Sequence, residues 1–259
     1  MDPLSRFAAL AAAPESELDL AEMALLIGAA GDPGAEPAPR LAEIDGWAEG
    51  VEDLGGLLHR LFRELGFRGD ARNYYDPENS FLHRVMARRL GIPITLSVLT
   101  IEVGRRAGVH LEGVGMPGHF LVGVPGRGLY VDAFAGGELL DEAGCAARFR
   151  QVSGAGAEAA FGPDLLPRVG PHLILVRMLA NLRGIYELRR SGRDLEWVAR
   201  MRLALPDASA PEAMALASAL ELQGRFLEAA RELEEHARVN PRVAGELTAA
   251  AHRLRSRFN

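Results

Sequence analysis

Two residues in the middle of the chain have the types and setting for general-base chemistry. His119 follows a Pro-Gly turn at the start of the apolar run HFLVGV, and Asp132 lies inside the next run, LYVDAF. If these runs are strands joined by the turn PGRG, counting outward from Gly126 places the two residues about level. A carboxylate that fixes the tautomer of a neighbouring imidazole is the orienting half of a nucleophile/His/Asp triad. The alternative is a structural His/Asp pair.

The nucleophile of such a triad has three candidates in the sequence. Ser97 and Thr95 lie in the first turns of an apolar helix that is predicted from Ile94 to about Arg106. A hydroxyl inside a buried helix is poorly exposed, and the alternative is packing and local bonding to the preceding turn. Cys145 lies in the helical run DEAGCAARF and is interpreted as a buried structural thiol, although geometry rather than chain order defines a triad.

The composition excludes several other chemistries. The chain has 259 residues and no lysine, which excludes Schiff-base chemistry and a lysine-dependent phosphate loop. One cysteine permits neither an internal disulfide nor a CxxC site. The seven histidines form no HxxxH or Cys/His pair, so we predict neither a metal nor a cofactor. The GxGxxG match at 113–118 leads into a strand rather than a helix, so we interpret it as a hairpin turn.

Charge and hydropathy limit the partners. The net charge is −6 and no block of basic residues occurs, which argues against nucleic acid. We interpret the three arginine pairs as parts of solvent-exposed helix faces: Arg88-Arg89, Arg105-Arg106 and Arg189-Arg190. The first residues lack signal-peptide features, and no uncharged stretch reaches the ~18 residues that a membrane span requires. We expect a cytoplasmic protein that contacts a protein or peptide rather than a membrane.

The helices that precede the candidate site are visible in the hydrophobic spacing. A capping pattern at Ser16 predicts a first helix, followed by a loop over the Gly-, Pro- and Ala-rich residues 28–40. Apolar residues from Ile44 to Leu65 recur at steps of three and four, which predicts a single amphipathic helix. The run NSFLHRVMARR predicts a further helix that Gly91 terminates.

The candidate site itself falls in a change from helix to strand. Pro93 fits the first turn of the apolar helix, which we expect to be central and buried. From Val109 onward, short β-type runs are separated by the turns GMPG and PGRG, which predicts an antiparallel meander. The predicted fold class is therefore α+β, with a buried helix before an antiparallel sheet.

The last part of the chain contains an internal repeat. Gly192 aligns with Gly224 at a separation of 32 residues, near the 34-residue tetratricopeptide period. We predict three regions: an N-terminal helix and loop at 1–40, an α+β domain at 41–169, and an all-α, tetratricopeptide-like extension at 170–259.

Three motifs, NSFLHRVMARRLGIPITLSVL, GVGMPGHFLVGV and YVDAFAGGELL, resemble the bacterial SirB-type proteins, in which a transglutaminase-like domain precedes tetratricopeptide repeats. The resemblance extends over residues 40–241 and implies a papain-like fold. It also implies a nucleophilic cysteine at the N-terminus of the central helix, where helix N–H groups stabilise a thiolate. Pro93 occupies the matching position in this chain.

Two functional hypotheses follow. The first is a non-catalytic transglutaminase-like protein that binds a partner or regulates it, with His119 and Asp132 retained from the enzyme fold. The alternative is a hydrolase in which His119 and Asp132 activate Ser97 or a water molecule. An exposed His119 with a nucleophile nearby distinguishes the second hypothesis from the first.

Overall fold

The computed structural model describes residues 2–154, 156 and 159–256. Contacts divide the chain into two compact units. One is Glu17–Met178, and the other combines the N-terminal residues through Ser16 with the chain from Leu179 onward. The predicted α+β class is confirmed by the helices and antiparallel sheet. The division at residues 40 and 169 stays a prediction.

Helices form both ends of the described chain, and short strands lie in its middle. The helices are α1 (Pro3–Ala11), α2 (Leu20–Gly31), α3 (Pro37–Ala48), α4 (Leu54–Leu58), α5 (Leu82–Arg88), α6 (Pro93–Arg106), α7 (Glu142–Ser153), α8 (Pro171–Arg189), α9 (Gly192–Ala204), α10 (Ala210–Leu222), α11 (Phe226–Val239) and α12 (Ala244–Ser256). The strands are β1 (Arg68–Gly69), β2 (Leu90–Gly91), β3 (Glu112–Val114), β4 (Leu121–Val124), β5 (Leu129–Asp132), β6 (Glu138–Leu140) and β7 (Arg168–Val169).

The main sheet has the order β6-β5-β4-β3-β7, and every neighbouring pair is antiparallel. Its three central strands form the predicted meander, because each turn between them is too short for a crossover. The strands β6 and β7 extend the sheet on both sides and were not predicted. Each is only two or three residues long, which is too short for a clear alternation of apolar residues.

The central helix α6 is buried as predicted, from Pro93 through Gly104 on most of its faces. Pro93 occupies the first turn, where a missing N–H costs nothing. Gly104 lies close to the chain that follows the helix, since a Cβ there would be 2.9 Å from the Leu111 side chain and 3.1 Å from the Val109 carbonyl. This close approach holds α6 beside the sheet.

The predicted single helix from Ile44 to Leu65 is wrong. The helix α3 ends at Ala48, and Gly50 adopts a φ of +71° that a continuous helix does not contain. Asp53 then caps α4, because its Oδ1 accepts a hydrogen bond from the Gly56 N–H at 2.8 Å. A π-helical segment, His59–Glu64, continues α4. The helical spacing of the apolar residues continues across the interruption because both segments place the same face against the core.

Two further expectations need correction. The loop predicted over residues 28–40 is shorter, because α2 continues to Gly31 and α3 begins at Pro37. Gly91 does not terminate α5 either. Arg89 adopts the left-handed conformation there, with a φ of +60°, and Gly91 pairs with Gly69 in a parallel ladder. Glycine was expected at the left-handed position on steric grounds, but an arginine occupies it.

The arginine pairs also differ from expectation. Arg106 is only 13% exposed and forms ion pairs with Glu102, Asp19 and Asp45. The Arg89 guanidinium lies 4.7 Å from the ring centre of Trp47 and 4.8 Å from that of Phe67. These arginines stabilise the fold through ion pairs and cation–π contacts. Arg189 and Arg190 are exposed, as predicted.

The second unit is helical. Its core consists mainly of alanine and leucine side chains from α9 to α12, which lets the helices approach closely. Gln223 donates to the Gly192 carbonyl and to Glu196, so the turn after α10 is tied to the start of α9. The predicted helical C-terminal region is therefore confirmed. In the described part of the chain, no helix has the length and hydropathy of a membrane span.

Candidate functional site

His119 is positioned by a tight turn and by a side chain from α8. Its N–H donates to the Met116 carbonyl at 3.0 Å, and Gly118 supplies the positive φ of +74° that the turn requires. The His119 carbonyl accepts a hydrogen bond from Arg177 Nη2 at 3.2 Å. The backbone of His119 is thus fixed on both sides before β4 begins at Leu121.

The predicted contact between His119 and Asp132 is confirmed. His119 Nε2 and Asp132 Oδ2 are 3.0 Å apart, and both side chains are almost completely buried. The predicted register is wrong by two residues, however. Val122 pairs with Val131. His119 therefore lies three residues before Val122, whereas Asp132 lies only one residue after Val131. The imidazole spans this offset. The catalytic roles of the two residues stay a prediction.

A second cation shares the Asp132 carboxylate. Arg148 Nη1, from α7, lies 2.8 Å from Asp132 Oδ2, and its Nη2 lies 2.7 Å from Glu138 Oε2. Burial alone raises the pKa of Asp132, but His119, the Ala135 N–H and Arg148 together hold that pKa below its usual value. Sequence reasoning missed Arg148, because nothing in its helix distinguishes it from the neighbouring arginines.

The ionised Asp132 fixes the tautomer of His119. An ionised carboxylate only accepts hydrogen bonds, so the Nε2–H of His119 donates to Asp132 Oδ2 and Nδ1 is left on the other side of the ring. Within the described residues, no side chain or backbone group is hydrogen-bonded to this Nδ1. The arrangement is that of an oriented general base whose partner is not supplied by the described protein.

The N-terminus of α6 holds no nucleophile in its first position, which is Pro93. Thr95 is buried and acts as a local cap, because its hydroxyl accepts from the Ile92 N–H at 3.2 Å and donates to the Asn79 carbonyl at 2.8 Å. Ser97 is 0% exposed, and its hydroxyl has no hydrogen-bond partner among the described residues. Of the two predicted nucleophiles in this helix, Thr95 therefore has a hydrogen-bonded hydroxyl and Ser97 an enclosed one.

Cys145 lies in α7 and is completely buried. It packs in an apolar cluster with Val114, Met116, Leu121, Leu140 and Leu166. Burial, followed by the charges of nearby carboxylates, raises the pKa of its thiol to about 12. The sulfur is thus a neutral thiol at physiological pH, as the interpretation of a structural cysteine requires.

Aromatic rings connect His119 to the surface. The edge of the Phe134 ring meets the His119 ring at a centroid distance of 6.1 Å, and Tyr74 meets Phe134 at 6.1 Å. Tyr75 follows at 5.3 Å and is 73% exposed. We call these four side chains the aromatic ladder. Gly69 makes room for it, because a Cβ there would lie 2.5 Å from the Phe134 ring.

The same unit contains a second His/Asp pair that sequence reasoning missed. His83 Nε2, in α5, lies 3.1 Å from Asp32 Oδ2 at the end of α2. Arg84 Nη2 binds the same oxygen at 2.6 Å. The residues are 51 positions apart in the sequence, and no turn or strand pattern links them.

Where the structure is described, no three His, Cys, Asp or Glu side chains are grouped as metal ligands.

Comparison with known proteins identifies the class. The sequence profile of the transglutaminase-like superfamily matches residues 32–180, which is more than half of the chain. The chain therefore belongs to the transglutaminase-like superfamily. The match contains α6, the central strands of the sheet, and both His119 and Asp132.

The chain is also similar to proteins from bacteria and mammals. A UPF0162 protein of Xylella fastidiosa (strain Temecula1) is 44% identical over 138 residues, 51% of this chain and 48% of that protein. A UPF0162 protein of Pseudomonas aeruginosa is 33% identical over 199 residues, 72% of this chain and 71% of that protein. F-box only protein 21 of Mus musculus is 34% identical over 161 residues, 55% of this chain and 24% of that protein.

The chain thus spans about half the length of the Xylella relative that it matches. No solved structure is significantly similar to it.

Proposed function

We propose that this chain is a non-catalytic member of its superfamily, which binds a protein or peptide partner or regulates it. The observation that carries the proposal is Pro93 at the start of α6. Acyl transfer by this fold requires a thiolate at that position, stabilised by the helix N-terminus and activated by the imidazole. A proline provides neither a nucleophile nor an N–H.

The other candidate nucleophiles support the same proposal. Thr95 uses its hydroxyl to cap α6, and the Ser97 hydroxyl is enclosed. Cys145 has a neutral thiol in an apolar cluster. Asp132 is also shared with Arg148, which gives the His/Asp pair a structural use that is independent of catalysis. The exposed end of the aromatic ladder offers a contact surface of the kind that partners bind.

A transamidation assay tests this proposal. The wild-type chain is incubated with a glutamine-containing peptide and a fluorescent amine, and the product is compared with that of His119→Ala. We expect no product above background from either protein. Turnover by the wild type that His119→Ala abolishes would contradict the proposal, provided that the variant retains the wild-type circular dichroism spectrum.

The second candidate function is a hydrolase in which His119 activates water or Ser97. The observation that favours it is the orientation of the His119 ring by Asp132, which leaves Nδ1 without a hydrogen-bond partner among the described residues. Hydrolysis of an activated ester tests this candidate. A rate that falls in both His119→Ala and Ser97→Ala identifies Ser97 as the nucleophile, whereas a rate that falls only in His119→Ala identifies water.

The finer features of the helical unit belong to the same proposal. We infer that α9 to α12 are tetratricopeptide-like repeats of a SirB-type protein, supported by the 32-residue spacing and the alternation of helix and turn. A cytoplasmic location is supported by a single cysteine that is free and buried, which suits a reducing compartment. Fluorescence microscopy of the tagged chain in a bacterial host tests the location.

A further inference from the structure

Arg177 lies beside the His119 site and is held in a defined position. Its Nη2 donates to the His119 carbonyl at 3.2 Å, and its guanidinium carbon lies 5.1 Å from the centre of the Phe120 ring. Gly115 borders its other terminal nitrogen, because a Cβ at that position would be 2.7 Å from Nη1. Arg177 thus approaches the backbone so closely that its position requires a glycine at residue 115 of the GVGMPG run, and this requirement does not involve phosphate binding.

Arg177 has no carboxylate partner within the described residues. Most other partly buried arginines of this unit are paired with a carboxylate, for example Arg60 with Glu64, Arg88 with Asp70, Arg106 with Glu102 and Arg148 with Asp132, whereas the Arg89 guanidinium packs on the rings of Trp47 and Phe67. Burial lowers the pKa of Arg177, and the phenol of Tyr74 opposes this shift. A partly buried cation without a counter-ion costs free energy, which an incoming anion would recover.

The surroundings of Arg177 indicate the kind of anion. The Tyr74 ring contacts Phe134, which in turn contacts His119, the residue whose carbonyl Arg177 binds, and Tyr74 also interacts electrostatically with Arg177. Tyr74 is 38% exposed, and Tyr75 adds an exposed ring beside it. Arg148, the other cation of the His119 site, is already bound to Asp132 and Glu138. One unpaired positive charge matches one negative charge, which favours a carboxylate over a phosphate dianion. The exposed rings favour an apolar or aromatic group next to that carboxylate.

We propose that Arg177 and Tyr74 bind the carboxylate of a peptide partner, while Tyr75 contacts an adjacent apolar side chain. The guanidinium donates to the carboxylate through N–H groups that the His119 carbonyl does not use, and the Tyr74 hydroxyl donates a further hydrogen bond. This inference rests on the proposed binding function and specifies its ligand chemistry.

A matched pair of small probes tests the inference on the full chain. N-acetyl-phenylalanine carries the carboxylate and the ring, whereas N-acetyl-phenylalanine amide carries the same ring without the charge. Titrations followed by NMR at constant ionic strength should show the acid binding at least about tenfold more tightly than the amide, because the charge-assisted contact is lost in the amide. Equal affinities for the acid and the amide would overturn the inference.

Two variants and one control assign the effect to the site. In Arg177→Gln the preference for the acid should disappear, whereas Arg127→Gln, which removes an exposed charge from the β4-β5 turn, should retain it. Tyr74→Phe keeps the ring and should weaken acid binding several-fold, which tests the site even if Arg177→Gln fails to fold. Full acid preference in folded Arg177→Gln, or in Tyr74→Phe, would contradict the assignment.

An inorganic phosphate arm distinguishes the anion. Phosphate should bind more weakly than N-acetyl-phenylalanine at the same ionic strength, and tighter phosphate binding would overturn the carboxylate assignment. The outcome is also separable from that of the proposed function. His119-dependent turnover would contradict the non-catalytic proposal without changing the acid preference, whereas loss of the preference would overturn only the present inference.

Discussion

Two histidine–aspartate pairs in the same unit have nearly the same contact geometry but very different surroundings. His119 and Asp132 are separated by 3.0 Å, and His83 and Asp32 by 3.1 Å, in both cases through Nε2 and Oδ2. Each histidine is almost completely buried, and each aspartate also binds an arginine. By distance and charge alone, the two pairs would be assigned the same role.

The surroundings of the second ring nitrogen, Nδ1, distinguish the two pairs. His83 Nδ1 is buried without a partner among the described residues, and a Cβ on Gly28 would come within 2.4 Å of it. A helix backbone therefore covers that nitrogen. The ring of His119 instead meets Phe134, from which the aromatic ladder leads to the exposed Tyr75. A His/Asp pair becomes a candidate site only where something other than the fold can approach the second nitrogen.

The largest expected effect comes from removing the charge of each aspartate. Asp132→Asn leaves the partly buried Arg148 with only the half-exposed Glu138 as a counter-ion, and we expect a loss of about 3 kcal/mol in the free energy of unfolding. Asp32→Asn should cost about 1 kcal/mol or less, because Asp32 and Arg84 are both partly exposed to solvent. Urea denaturation of the two variants measures the difference. Equal losses would contradict the distinction between a buried and a solvated carboxylate.

The next effect tests whether the fold encloses His83. Gly28→Ala places a Cβ against the imidazole, and we expect a destabilisation of about 2 kcal/mol, typical of an overpacked core. Gly46→Ala is the matched control, since no atom lies within 4 Å of a Cβ there and alanine favours a helix. Thermal denaturation should show a lower Tm only for Gly28→Ala. An unchanged Tm would mean that the His83 site has spare room.

The sequence was sufficient for one pair and insufficient for the other for a physical reason. His119 and Asp132 lie on either side of a short hairpin, so turn residues and alternation place them close together. His83 and Asp32 meet through the packing of α2 on α5, and the sequence does not specify how two distant helices pack. The contact between Arg177 and His119 was not predicted for the same reason, because the two residues are 58 positions apart and no turn or strand pattern links them.

Local breaks were the other limit of sequence reasoning. The spacing from Ile44 to Leu65 is helical on both sides of the interruption, so the pattern contained no trace of it beyond Gly50 and the Asp53 cap. The long helix α6, by contrast, was predicted to within one residue at each end. Its proline at the first turn and its apolar faces are strong signals over a long segment.

A smaller effect concerns the pH dependence of stability. Burial lowers the pKa of His83 below its ordinary value of 6.5, although the hydrogen bond to Asp32 opposes this shift. The unfolded chain therefore binds more protons than the folded chain just below pH 6.5. The free energy of unfolding should fall as the pH decreases through that window, by at most about 1.4 kcal/mol per pH unit from this group.

His83→Gln tests this assignment, because glutamine does not titrate. Urea denaturation of the wild type and the variant between pH 5 and pH 7.5 gives the two slopes. The variant should show the shallower decrease below pH 6.5, whatever its absolute stability. Parallel curves would show that His83 is not the group whose protonation opposes folding.

The smallest expected change in stability compares Gly115 with Gly28. Both glycines lie against a side chain of a His/Asp site, but the Cβ of Gly115→Ala would meet Arg177 Nη1 at 2.7 Å, at the end of a flexible chain. Arg177 can move away, so the free energy of unfolding should fall by less than about 1 kcal/mol.

The displaced guanidinium should nevertheless lose the position from which it recognises a carboxylate. We therefore expect Gly115→Ala to keep a Tm near that of the wild type while its preference for N-acetyl-phenylalanine over the amide disappears. A large loss of stability would show instead that Arg177 is as rigidly enclosed as His83, and the difference between the two sites would then be smaller than their surroundings indicate.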